Sequence, residues 1–248
     1  MKNHHEPGYV LHTRPYTESS LLLDVFCRQY GRFMLLAKGA RRQKSGMRGV
    51  LMPFKPLLLS WAGKGQLPIL TAAESQGYLS ELLGKQLHAA YYANELILKL
   101  LHRFDAHQDL YDSYDHTVRS LTAGEDAGML LRVFEKRLLR EIGFGLILDH
   151  DVETGERIKE SANYRYVPQF GPVVTELANE IGMLVSGQTL ISFQEERFKT
   201  SESRQQARVL TRNLIYQQLG GRELRSRKVM HQILRYNGKR GNGWSRPE

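Results

Sequence analysis

The run Gly31-Arg32-Phe33-Met34-Leu35-Leu36-Ala37-Lys38 alternates in side-chain character with the two-residue period of a strand, placing Phe33, Leu35 and Ala37 on one face. Directly after it, Ala37 to Gly49 carries five cations (Lys38, Arg41, Arg42, Lys44 and Arg48), three glycines and no acid. That segment is too rich in glycine for a helix, so a strand here opens into an uncompensated basic loop. Working outward, Gly8 to Arg14 is apolar until Pro15 stops it, and Ser20 to Phe26 forms a second run. Pro56 to Trp61 and Gln66 to Glu74 follow the loop, joined by the turn residues Ala62-Gly63-Lys64-Gly65. Five short strands within about 70 residues predict a small closed barrel, of which the five-stranded OB-fold is the common nucleic-acid-binding form.

Beyond Gly84 the apolar period becomes helical. Leu87, Tyr91, Leu96, Leu98 and Leu101 share one side of a helix reaching about Phe104. A second, capped by Asp109, carries Leu110, Tyr114, Val118 and Leu121, and a third carries Leu130, Leu131, Phe134, Leu138 and Ile142 before Gly143-Phe144-Gly145 ends it. Residues 149–172 read as loop and hairpin. Further helices are expected over Val173 to Val185, Ser201 to Leu219 and Ser226 to about Leu234, with a polar tail from Asn237. The predicted fold class is α+β: an amino-terminal five-stranded OB-fold barrel over 1–80, then a mainly α-helical domain over 81–248 with an insertion near 149–172.

The chain has 248 residues, 41% of them hydrophobic, which suits a folded protein rather than a disordered one. No apolar run approaches the roughly 20 residues that span a bilayer, and the start Met1-Lys2-Asn3-His4-His5-Glu6 is polar, so a cytoplasmic protein is expected. The single cysteine, Cys27, sits in an apolar run and reads as a small core residue. The net charge of +9 is unevenly spread. Residues 1–80 carry 11 cations against 4 acids and 197–248 carry 13 against 3, while 81–147 is net −2 and 148–196 net −6. Two basic ends flanking an acidic middle point to a polyanion held at the ends.

Machinery for catalysis is missing from the motifs. The glycine pairs fit neither a phosphate-binding loop nor a dinucleotide fingerprint, and no serine or cysteine stands in a nucleophile elbow. Asp109, Asp112, Asp115 and His116 could gather a hard metal, but acids in a first helical turn ordinarily serve the helix dipole. His150, Asp151, Glu153 and Glu156 lack ligand spacing. No catalytic residue, metal or cofactor is expected. The basic loop suits phosphate binding, since Arg and Lys satisfy phosphate oxygens and glycine lets backbone approach. Arg14, Lys38, Arg41, Arg42, Lys44 and Arg48 form this candidate DNA-binding set. Arg204, Arg225, Arg227 and Lys228, near Arg208, Arg212 and Arg222, form a second candidate phosphate track. Tyr9, Phe33 and Phe54 either fill the barrel or stack on bases.

Several segments together resemble the RecO family of bacterial recombination mediators. They are Val10 to Leu21, Leu36 to Arg41, Gln66 to Glu74, Tyr92 to Leu96, Arg132 to Glu135, Gly143 to Gly145 and Leu224 to Arg227, in order over nearly the whole chain. The resemblance implies an OB-fold followed by a helical domain and a non-catalytic role in DNA repair. It also implies binding of single- and double-stranded DNA, annealing of complementary strands, docking of the carboxy-terminal tail of single-stranded DNA-binding protein, and action with RecR to help load RecA. Some members carry a four-cysteine zinc site in the region matching 149–165, which here has no cysteine, so no zinc is expected. The acidic tail implied by the resemblance needs an apolar pocket edged by a cation. The third helix offers Leu131, Phe134 and Leu138 as the apolar stripe, Arg132 for the terminal carboxylate, and Lys136 and Arg140 as auxiliaries. Three other readings stand beside this one: an RNA-binding or annealing module, a metal-dependent nuclease using Asp109 to His116, and a protein-docking adaptor with incidental charge.

Overall fold

The structure, a computed structural model, describes residues 2–47, 49–63, 65–77, 79–175 and 182–241, and side chains from 4 to 233 within those limits. Five strands, β1 (Lys2–Pro15), β2 (Leu21–Cys27), β3 (Gly31–Ala37), β4 (Leu57–Ala62) and β5 (Ile69–Ser75), close into a barrel in the order β1-β2-β3-β5-β4. This is the five-stranded OB-fold expected from the alternation. All strand pairings are antiparallel except the closing one, where β3 meets β5 in parallel through Leu36 and Ile69 alone. The inner faces supply Val10, Leu23, Val25, Phe33, Leu35, Leu57, Leu59 and Trp61 to a hydrophobic core, with the Cys27 thiol buried among them.

Strand β2 runs buried on both faces from Leu23 to Cys27, because its outer side meets the helices. Tyr9, Leu11 and Phe26 point out of the barrel and join the larger hydrophobic core of the second half. There Tyr9 and Phe26 pack against Tyr111 and Tyr114, with ring centroids 5.1 to 6.0 Å apart. Helices α1 (Gly84–Leu100), α2 (Gln108–Thr122) and α3 (Ala127–Glu141) pack on one another, and α5 (Ser201–Gln218) packs on α3. A small antiparallel sheet, β6 (Asn163–Val167), β7 (Gly171–Val174) and β8 (Met183–Ser186) in the order β7-β6-β8, leads into α4 (Gly187–Gln194). Helix α6 (Arg225–Gly241) returns to lie on α1.

Six elements depart from the sequence reading: α4 is not foreseen, α6 runs on to Gly241 through residues read as a polar tail from Asn237, and four others differ in kind or bounds. Strand β1 begins at Lys2 rather than Gly8, since the register shift between Asn3 and Glu6 lets the chain pair with β4 despite Pro7. The helix expected over Val173 to Val185 is absent at both ends: Val173 and Val174 pair in β7, and Met183 to Val185 pair in β8. Its central residues 176–181 lie outside the described residues. Valines flanked by Gly171 and Gly182, both at positive φ, favour paired strands over a helix. Asp109 does not cap α2, whose first residue is Gln108, although it remains in the first turn. Helix α1 ends at Leu100, where Leu101 turns extended.

Candidate nucleic-acid interface and cationic groove

The 19 residues between β3 and β4 run from one end of the barrel to the other, since β3 ends beside β5's start and β4 begins beside Gly8 and Ser75. Hydrophobic anchors brace this connection. Ala40 and Leu51 are buried in the barrel core, and Met47 and Val50 pack against it. Gly39 turns the chain at φ 72°, letting the Arg42 amide donate to the Gly39 carbonyl at 3.1 Å. Arg41 ties the loop to the β1–β2 turn: its amide donates to the Ser19 carbonyl at 3.0 Å and its Nη1 to the Thr17 carbonyl at 2.6 Å. The result is a fixed scaffold from which Lys38, Arg41, Arg42 and Lys44 all reach solvent. Among the described residues none of the four forms an ion pair, and Arg48 lies outside them. Arg14, at the end of β1, is exposed and directs Nη2 at Met34 Sδ, 3.2 Å away. These side chains are free to satisfy phosphate oxygens.

The aromatics weighed as base-stacking groups take the other role. Tyr9 and Phe33 are fully buried and Phe54 is nearly so, its ring edge-on to Tyr91 at 4.9 Å. Large rings release more free energy by leaving water at the barrel interior and the inter-domain seam than exposure would allow.

In the helical half, α1, α3, α5 and α6 enclose a groove of about 480 Å³. Its floor is apolar, from Ala89, Tyr92, Leu131 and Met230. Among the described residues six cations line it, Lys85, Arg132, Arg204, Arg208, Arg212 and Arg227, and no carboxylate does, although Arg204 reaches Asp126 outside the lining at 3.4 Å. Beneath the floor lies a buried network. Arg132 Nη2 donates to Glu135 Oε1 at 2.8 Å, and Tyr92 donates its hydroxyl to the same oxygen at 2.6 Å. Arg132 Nη1 reaches Thr211 Oγ1 at 3.1 Å, and Arg227 Nη2 donates to the Tyr92 oxygen at 3.1 Å with its guanidinium 5.4 Å above that ring. Burial, and then the Glu135 charge, push the Tyr92 hydroxyl well above its ordinary pKa, so it stays a donor. Glu95 fixes the start of α6: its carboxylate accepts from the Arg225 and Ser226 amides at 2.9 and 2.8 Å and from Ser226 Oγ at 2.7 Å.

The six residues assigned to the partner's tail are not one surface. Leu131 and Arg132 line the groove, but Arg132 is 7% exposed and already paired, so it forms the groove's positive wall rather than a free claw. Phe134 and Leu138 are fully buried core. Lys136 and Arg140 face a separate depression beside Leu148 and Asp149, where Lys136 binds Glu196 at 2.8 Å. Burial raises the Glu196 pKa, yet hydrogen bonds from Lys136 and Arg137 outweigh it and hold the carboxyl below its usual range. Lys136 stands one helical turn beyond Arg132 on nearly the same side, but its amine is drawn to the Phe193 and Gln194 carbonyls and to Glu196, away from the groove. Of the second phosphate track, Arg204 and Arg227 enter the groove, Arg225 is exposed at the head of α6, and Lys228 approaches Glu223 at 3.6 Å. Lys85 is invisible as a site residue in the sequence because only the tertiary packing brings α1 beside α5.

The acidic cluster on α2 has structural duties. Asp112 forms a two-point ion pair with Arg28, at 2.8 and 2.9 Å, and Asp115 accepts from Tyr9 at 2.6 Å and from Arg119 at 2.8 Å. No group of three or more His, Cys, Asp or Glu placed to hold a metal occurs among the described residues, and no described helix is long and apolar enough to cross a membrane.

An OB-fold barrel with a basic rim free of ion pairs among the described residues, fused through a shared aromatic core to a helical half with a cationic groove, defines a barrel-and-helix protein with two cationic surfaces. The family model for the recombination protein O amino-terminal domain matches residues 1–78, and that for the carboxy-terminal domain matches residues 84–228. The chain belongs to the RecO family of DNA repair proteins. It is 43% identical to the DNA repair protein RecO of Azoarcus sp. (strain BH72) over 232 residues, 92% of this chain and 96% of that one. It is 42% identical to the RecO of Dechloromonas aromatica (strain RCB) over 92% of this chain and 95% of its relative. With the RecO of Thiobacillus denitrificans (strain ATCC 25259 / T1) it shares 41% identity over 94% and 93% of the two chains.

Proposed function

We propose that this protein is a non-catalytic recombination mediator that binds single- and double-stranded DNA through its barrel and anneals complementary strands. The observation that carries the reading is the braced basic loop, whose Lys38, Arg41, Arg42 and Lys44 face solvent with no carboxylate attached. Phosphate contacts of this kind are blind to sequence, as annealing requires, because base pairing between the two strands performs the check. Bound cations also reduce the repulsion between two approaching polyanions.

The groove between α1, α3, α5 and α6 is the proposed dock for the acidic carboxy-terminal tail of single-stranded DNA-binding protein. An apolar floor with a cationic rim suits a short acidic peptide ending in an apolar residue and a free carboxylate. With that partner, and with RecR, the protein helps RecA onto coated strands in the bacterial cytoplasm. Strand annealing with fluorescently labelled complementary oligonucleotides, bare and coated with single-stranded DNA-binding protein, tests the reading. Acceleration in both conditions is expected. Failure to speed annealing of bare strands at low salt would overturn it.

A further inference from the structure

The connection from α1 to α2 closes a breach in the barrel. Since β3 and β5 pair only at Leu36 and Ile69, the edge of β3 from Gly31 to Leu35 has no strand beside it. Residues 101–106 lie there instead: the Phe104 amide donates to the Arg32 carbonyl at 2.9 Å, and Arg32 and Arg103 form an isolated parallel bridge. The chain passes so close that a Cβ on Gly31 would stand 1.8 Å from the Asp105 carbonyl oxygen. Phe104 covers the opening. Its ring stacks on Phe33 at 5.2 Å and 24°, while its other side leaves it 47% exposed. It adopts φ 58°, a left-handed conformation that costs a phenylalanine on the order of 1 kcal/mol or more and persists where the surroundings impose it.

Positive charge gathers at Met34, the next residue along β3 from the Phe33 that this ring covers. Arg103 Nη2 and Arg14 Nη2 converge on Met34 Sδ, at 3.5 and 3.2 Å. Two like charges crowd one sulfur, and neither forms an ion pair among the described residues. Asp24, opposite Met34 on β2, pairs with Arg32 at 3.7 Å, and Asp105 lies 3.3 Å from His107. An outward aromatic face, with Arg103 preceding it in the chain and Arg14 meeting Arg103 at Met34, matches a nucleotide unit, base on ring and phosphate on cation.

We infer that Phe104 is a stacking platform for an unpaired nucleobase, with Arg103 and Arg14 holding the phosphates on either side. The strand would then pass from the basic loop, by exposed Arg14 and half-buried Met34, to the seam between barrel and helices. This rests on the single-strand-binding reading above and adds a contact from the helical half. A double helix, with its bases already stacked on one another, has no free face for Phe104, so the platform favours single strands.

The test compares Phe104→Leu, Phe104→Trp and Arg103→Ala with the parent in anisotropy titrations of a labelled oligothymidylate. Leucine still fills the gap above Phe33 but offers no π-face. It should weaken binding about fivefold or more, the lower end of the effect of losing one base–aromatic stack, at an unchanged salt slope and melting temperature. Tryptophan should restore or exceed the parent affinity, and Arg103→Ala should flatten the log–log salt slope by roughly 0.7. Equal binding by the leucine and parent proteins would overturn the platform, and would leave the mediator role standing if the parent still binds with a salt-dependent affinity. A parent with no affinity for the oligonucleotide would overturn both. Should the leucine protein fail to fold, tryptophan binding weaker than the parent's decides against the platform.

Discussion

The Tyr9 hydroxyl on β1 donates to Asp115 Oδ1 on α2 at 2.6 Å, so a barrel strand and a helix share one half-buried hydrogen bond to a charged group. A second link lies nearby, where Asn94 Nδ2 donates to the Leu11 carbonyl at 2.8 Å and its own Oδ1 accepts from Tyr114 at 2.5 Å. Tyr9→Phe removes only the hydroxyl. Asp115 keeps Arg119, so the expected loss is about 1.5 kcal/mol, the lower end for a hydrogen bond to a charged partner. Urea unfolding followed by circular dichroism checks it, and the parent should unfold in one transition rather than two, since the halves share a core.

Among the loop cations, Arg42 and Lys44 project without tying the loop down, whereas Arg41 bonds to Thr17. Replacing Arg42 and Lys44 together by Ala should leave the melting temperature unchanged and flatten the salt slope of single-strand binding by roughly 1.4, about 0.7 for each phosphate that is no longer neutralised. Titrations from low to moderate salt measure it. An unaltered slope would place the strand away from this loop.

In the groove the free cations, not the buried one, should answer to the tail. Arg208→Ala should weaken a tail peptide about fivefold in calorimetry, because it removes a rim charge without disturbing the fold. Lys136→Ala and Arg140→Ala should leave the affinity as it was, since they face a different depression. Arg132→Ala should instead destabilise the protein by about 3–5 kcal/mol, because Glu135 would remain as an uncompensated buried charge.

Glu6 gives a pH signature. Its carboxyl is buried at the barrel wall, and burial raises its pKa more than the Gln29 amide and the Arg28 charge lower it. A carboxyl with a raised folded pKa contributes stability that is complete below its unfolded pKa and lost as pH climbs through the folded one. Glu6→Gln keeps an oxygen for the Gln29 amide and removes the buried charge. The variant should therefore melt above the parent at pH 7.5, with the gap closing toward pH 4, in thermal scans across that range.

What the sequence makes legible follows from where the decisive interactions lie. The period of Phe33, Leu35 and Ala37 is local, and so is the charge of the segment after it, so both the barrel and its basic rim can be read from one stretch. The groove is not readable, because Lys85, Arg208 and Arg227 are far apart in the chain and only helix packing brings them together. Arg132 misleads for a related reason. Its helical neighbours suggest a solvent-facing side chain, while the group that buries it, Thr211, lies 79 residues away. The strands at Val173 and Met183 pass for a helix because short apolar runs carry no period long enough to separate the two.

The outward-facing Tyr9, Leu11 and Phe26 also constrain how such a protein can change over generations. Many OB-folds stand as modules that can be cut out and joined to new companions. This one has given up a wall of its own: without the helices, three large apolar side chains along β1 and β2 would meet water as a sticky strip. The amino-terminal half is therefore a poor candidate for exchange by domain shuffling, and substitutions at the seam should be inherited in matched pairs, one on each side.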